Sequence, residues 1–112
     1  NPLYIVRDNE IVITKGDKFA IGSFNPYTKS FATHKIPLLS GDIVYVFSDG
    51  YADQFGGLKG KKYMYKQFRE TLLSIKDLPM EKQRLALDNK IEKWKGSYEQ
   101  VDDILIIGVQ IN

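Results

Sequence analysis

The chain has 112 residues, 43% of them hydrophobic and 27% charged, which is ordinary globular usage and excludes a disordered or low-complexity polymer. A net charge of +2 is too small to argue for nucleic acid, and the absence of cysteine excludes a disulfide framework and thiolate chemistry and sits easily with a reducing cytoplasm. No apolar run approaches the ~20 residues of a membrane span, and no signal peptide is read at the start.

Asn1-Pro2 leads directly into Leu3–Arg7, and a second β-rich run, Glu10–Lys15, follows Asp8-Asn9. Two such runs about a polar break predict a hairpin. With no starting methionine and no lead-in, the chain reads as a piece of a longer polypeptide. Gly16 to Ser30 reads as loop, broken by Gly16, Gly22, Asn25-Pro26 and Ser30. Phe31–Lys35 reads as a third strand, in which His34 is structural or exposed. Ser40-Gly41-Asp42 then forms a turn into a fourth strand, Ile43–Ser48.

After Gly50 the pattern changes. Asp53–Lys62 holds Gly56-Gly57 and Gly60 and reads as irregular and mobile. Met64, Phe68, Leu72 and Ile75 are spaced as one face of an amphipathic helix over Tyr63–Lys76. Leu78-Pro79 interrupts it. Met80, Leu87, Ile91 and Trp94 share a face of a second helix, Met80–Lys95, which proline opens and Gly96 closes. Ile104–Ile111 is the last strand. Four strands, two helices and a final strand make an α+β organisation rather than an alternating one. Phe68, Trp94 and Met64 read as core.

Two acidic junctions stand out. The apolar run Ile43–Phe47 ends at Ser48-Asp49-Gly50, and Asp102-Asp103 precedes the apolar run Ile104–Ile107. Each run is short and bounded by turn residues, as buried strands are. Carboxylates therefore sit where two core strands meet solvent, a rigid place to hold the hard oxygen ligands that Mg²⁺ or Mn²⁺ favours. Either junction alone reads equally as a plain turn or a solvated loop. Asp42 and Asp53 read as turn or capping groups. The basic, aromatic stretch Lys59–Arg69 admits three readings: a nucleic-acid surface, a solvated helix start with its aromatics turned inward, or a docking site for an acidic partner.

In this order, the Asn1-Pro2-Leu3 strand entry, the Gly41-Asp42 turn and strand, Ser48-Asp49-Gly50 with Asp53, Phe55-Gly56, the two helices and Asp102-Asp103 resemble the C-terminal part of a SpoIIE-type bacterial serine phosphatase domain, within the metal-dependent type-2C (PPM-type) superfamily. The resemblance covers essentially all 112 residues. It implies that residues 1–112 are the C-terminal portion of one domain, part of a β-sandwich with about five mainly antiparallel strands plus two helices. It implies a hydrolase acting on phosphoserine or phosphothreonine, with two Mn²⁺ or Mg²⁺ ions that activate water and clamp the phosphate. Asp49 and Asp102 map onto metal ligands. Gly50 lets the backbone turn away from the metal, Asp103 supports from behind, and Lys61 and Lys62 are candidates for substrate docking.

The same resemblance places an earlier Asp and an Asp-Gly pair before Asn1, so the fragment alone is expected to bind metal weakly or not at all and to be inactive. It implies a cytoplasmic enzyme of bacterial signal transduction, tethered to a membrane only through an upstream region. The implied partners are a phosphorylated regulatory protein of the anti-sigma-factor-antagonist type and an upstream sensory region, with no nucleic acid. The elements lost upstream are expected to leave a sheet edge and an apolar face that drive the fragment to self-associate. The competing reading is a non-catalytic interaction module that keeps the phosphatase-like scaffold without its metals.

Overall fold

A computed structural model of the chain describes residues 1–15 and 36–112. The loop expected over Gly16–Ser30, the strand expected over Phe31–Lys35 and His34 lie outside the described residues. Strand β1 (Leu3–Arg7) turns at Asp8-Asn9 into β2 (Glu10–Thr14), in register from Arg7 opposite Glu10 to Leu3 opposite Thr14. Strand β1 also pairs with β3 (Ile43–Phe47), and β3 with β6 (Ile106–Gln110), all antiparallel, in the order β2-β1-β3-β6. In β1, Tyr4, Ile5 and Val6 are all buried. Strand β3 instead alternates, with Ile43, Tyr45 and Phe47 buried and Val46 exposed.

Between β3 and β6 come a short helix, α1 (Gly50–Asp53), a small hairpin of β4 (Phe55–Gly56) and β5 (Lys61–Lys62), and two longer helices, α2 (Tyr65–Ser74) and α3 (Met80–Lys95). Among the described residues this is six strands in two sheets and three helices, an α+β arrangement. The stretch Asp53–Lys62 is thus less irregular than its glycines suggest, with Phe55 opposite Lys62 and Gly56 opposite Lys61. Helix α2 starts two residues later than its periodicity predicts. Met64 stands at φ 77°, ψ 155°, outside any helical conformation, and its N–H donates to the Ala52 carbonyl at 2.7 Å. Its side chain is 62% exposed, so Met64 is not core. Helix α3 keeps the predicted ends, and the Gly96 N–H donates to the Glu92 carbonyl at 3.1 Å.

The helices bury their apolar stripes on the sheet face that carries Tyr4, Tyr45 and Phe47. Phe68 stands edge-on to Phe47 with ring centroids 5.1 Å apart, and Tyr51 packs on Phe68 at the same separation. Phe68 and Leu72 of α2 and Ile91 of α3 are buried, each contributing about 1.5–3 kcal/mol. Trp94 differs from the expectation of a sheet-covering residue: it is half-buried and lies under the β4–β5 hairpin. Its indole N–H donates to the Gln54 carbonyl at 2.9 Å, its own carbonyl accepts from Gly57 N–H at 2.9 Å, and its ring occupies the space that side chains at positions 56 and 57 would need. On the other sheet face Val12, Val46, Leu105, Ile107 and Val109 are exposed.

Candidate metal centre

The antiparallel register decides where the acidic segments meet. Phe47 at the end of β3 lies opposite Ile106 at the start of β6, so the residues after one and before the other emerge at the same end of the sheet. Ser48 ties them. Its N–H donates to the Leu105 carbonyl at 2.9 Å, its hydroxyl donates to the Asp103 carbonyl at 2.8 Å, and it accepts from the Leu105 N–H at 3.0 Å. Gly50 completes the seam. A Cβ at this position would collide with the Asp103 carbonyl oxygen and come within 3.1 Å of Ile104 Cγ1, so only glycine lets the two chains approach this closely. The Asn1 side-chain amide donates to the Phe47 carbonyl at 2.8 Å, which brings the start of β1 to the same end.

Asp49 occupies the N-cap position of α1 but makes no capping bond with its side chain, although aspartate favours that bond. Its Oδ1 instead accepts the Tyr65 hydroxyl at 2.5 Å. Burial, reinforced by the Asp49 carboxylate, holds the Tyr65 hydroxyl well above the usual tyrosine range, so it remains a donor at neutral pH. Asp49, Asp102 and Asp103 are exposed, while Gly50 is buried.

The remaining candidates fall elsewhere. Lys61 and Lys62 are exposed on β5. Lys62 Nζ lies 3.7 Å from the Asp53 carboxylate, one helical turn beyond Asp49, and 5.9 Å from the centre of the Phe55 ring. Asp42 sits at the opposite end of β3, where the Arg7 guanidinium grips it through Nε at 3.0 Å and Nη2 at 2.6 Å and the Leu39 N–H donates at 2.8 Å. Those bonds hold its carboxyl below the usual range, the Arg7 bond first. Tyr63 and Phe68 of the basic stretch are buried and have no face free to stack on a base.

The donor set has the chemistry of a hard-cation site, two exposed carboxylates on rigid strand ends. Its number is short. Among the described residues no three His, Cys, Asp or Glu side chains gather closely enough to hold an ion. Among the described residues these carboxylates do not make up a closed site. Sequence reasoning missed Ser48 and Tyr65. Ser48 carries a faint signal, as the last polar residue before Asp49-Gly50. Tyr65 carries none, being 16 residues from Asp49 on a separate helix.

The whole chain, residues 1–112, matches the family described as stage II sporulation protein E (SpoIIE). Among solved structures it resembles the SiaA-PP2C domain of Pseudomonas aeruginosa, at 26% identity and TM-score 0.84, over 99% of this chain and 43% of that one. It also resembles the phosphatase domain of the cell fate determinant SpoIIE from Bacillus subtilis. The form presoaked with Mn shows 21% identity and TM-score 0.56, over 100% of this chain and 47% of that one. The crystal form without domain swapping shows 20% identity and TM-score 0.57, over 97% and 45%. The chain spans less than half of each of these solved chains. No curated protein matches it.

Proposed function

The chain belongs to the SpoIIE family, and on that premise we propose that the protein it comes from is a Mn²⁺- or Mg²⁺-dependent protein serine/threonine phosphatase of bacterial signalling. The observation that carries this reading is the seat of Gly50 against the Asp103 carbonyl, which brings the two acidic segments to one end of the sheet. Asp49 and Asp102 would hold the cations, which when bound supply an acidified water and charge neutralisation on the phosphoryl group. Gly50 and Ser48 fix the spacing between the carboxylates through the main chain, and Asp103 contributes its backbone to that seam. Lys61 and Lys62, on the exposed hairpin next to α1, are placed to meet an acidic or phosphorylated protein, here a regulatory protein of the anti-sigma-factor-antagonist type. The described residues do not by themselves supply the further ligands of a two-ion site.

Phosphoester hydrolysis by the full-length protein tests the reading, with p-nitrophenyl phosphate and a phosphoserine protein as substrates. Activity should need Mn²⁺ or Mg²⁺ and fall at least 100-fold in Asp49→Asn and Asp102→Asn, as expected when positioning and charge stabilisation are both lost. The 112-residue chain alone should be inactive and should self-associate in light scattering through the face bearing Val46, Ile107 and Val109. Hydrolysis that survives both chelation and Asp49→Asn would overturn the proposal. A second reading, a phosphatase-like interaction module, draws on the shortage of converging ligands among the described residues. It predicts no hydrolysis by the full-length protein at any metal concentration.

A further inference from the structure

Among the groups around the acidic end of the sheet, one side chain does something the family match does not ask for. Asp49 has the position of a helix cap and the residue type of a good cap, yet its carboxylate leaves its own helix N–H groups alone. It reaches across to α2, where the Tyr65 hydroxyl donates to Oδ1. Tyr65 is half-buried, its ring 6.2 Å from that of Phe47, the last residue of β3. The ring is thus anchored on the strand that delivers Asp49, and the hydroxyl is anchored on the carboxylate. Helix α2 is itself fixed at this end, because the Tyr63 N–H donates to the Gln54 carbonyl at 2.9 Å and the Met64 N–H to the Ala52 carbonyl at 2.7 Å.

We propose that Tyr65 is a positioning residue for cation binding: its hydroxyl holds Oδ1 of Asp49, fixes the carboxylate rotamer away from the helix N-terminus, and so presents the carboxylate that would serve as a ligand. A carboxylate free to rotate would divide its time between capping α1 and facing the site; the tyrosine removes that choice before the cation arrives. Partners behind a ligand act in this way, and their loss costs metal affinity rather than the fold. The inference rests on the assignment of Asp49 as a ligand, so its test must separate the two.

The test is isothermal titration of Mn²⁺ into the full-length protein, wild type, Tyr65→Phe and Asp49→Asn, with thermal melting of each in EDTA. The expected result is about ten-fold weaker Mn²⁺ binding in Tyr65→Phe, an unchanged melting point without metal, and loss of binding in Asp49→Asn. In assays of activity against Mn²⁺ concentration, the half-saturating concentration should rise by the same factor while the saturated rate holds. If Asp49→Asn loses binding and Tyr65→Phe binds as wild type does, Tyr65 is not a positioning residue and the metal assignment stands. If Asp49→Asn binds as wild type does, the metal assignment itself fails and takes this inference with it. A Tyr65→Phe protein that binds weakly but also melts early without metal would refute the proposal in favour of a purely structural tyrosine.

Discussion

Replacing Gly50 by alanine adds one methyl group at the tightest point between the two acidic segments. The new Cβ would lie 2.8 Å from the Asp103 carbonyl carbon and closer still to its oxygen. Ordinary contact begins near 3.4 Å, and the carbonyl oxygen is the limiting contact, so it must retreat by about 1.2 Å. It is backbone rather than the end of a flexible side chain, and the same oxygen accepts the Ser48 hydroxyl. Overpacking of this kind costs about 1–3 kcal/mol, and a weakened Ser48 bond adds about 1 kcal/mol. Alanine's better helix propensity returns at most about 1 kcal/mol, and less in a helix of four residues. The net expectation is a loss of about 2 kcal/mol. Urea unfolding of the full-length protein measures it, as a lower midpoint at unchanged slope. Because the displaced carbonyl adjoins Asp102, Mn²⁺ affinity should fall in the same variant. A Gly50→Ala protein as stable as wild type would falsify the close approach of the two segments.

Three further outcomes follow from geometry elsewhere. Met64 lies in a backbone region that costs a non-glycine residue about 1–3 kcal/mol while burying little side chain, so Met64→Gly should stabilise by about 1 kcal/mol after glycine's own entropy is subtracted; a lower urea midpoint would contradict this. Trp94→Ala should cost about 2–3 kcal/mol, below the ~3–5 kcal/mol of a fully buried indole, and native Trp94 emission should lie between buried and exposed limits; a fully red-shifted native spectrum would show that the hairpin does not cover the ring. Asp42 has a depressed folded pKa, so its contribution is complete above the unfolded value of 3.8 and is lost as pH falls below it. Chemical denaturation as pH falls from about 4 should therefore show declining stability that Asp42→Asn largely flattens, and an unchanged slope in that variant would assign the acid sensitivity to other carboxylates.

The β1–β2 hairpin, β3 and α3 were legible in the sequence because their signals are local. Alternation, an Asp-Asn break, Pro79 and Gly96 act within a few residues of the ends they define. The start of α2 was not legible. Met64 has the right spacing and character for the apolar stripe, and periodicity cannot register a backbone turn set by a hydrogen bond to Ala52. Trp94 failed for a related reason: it belongs to the stripe of α3, but the stripe outruns the sheet and its last turn meets Gly56 and Gly57 instead. The β4–β5 hairpin has no β-branched run, and its pairing depends on Trp94 from 40 residues away. At the candidate centre, strand-then-acid order picked out Asp49 and acid-then-strand order picked out Asp102 as candidates, since strand ends are visible in sequence. Tyr65 was not visible, because nothing in a linear pattern says which helix will face which carboxylate.

The seam between Ser48-Asp49-Gly50 and Asp103–Leu105 is held by peptide groups, one serine hydroxyl and a missing methyl. None of its fastenings uses the side chains of Asp102 or Asp103. Form and reactivity are therefore written in separate letters. Exchanging those carboxylates for amides leaves every fastening intact, so the altered protein keeps its outline while losing its charge. On the phosphatase reading proposed above, an Asp102→Asn protein would bind a phosphorylated substrate without turning it over, which makes it the bait of choice for that substrate.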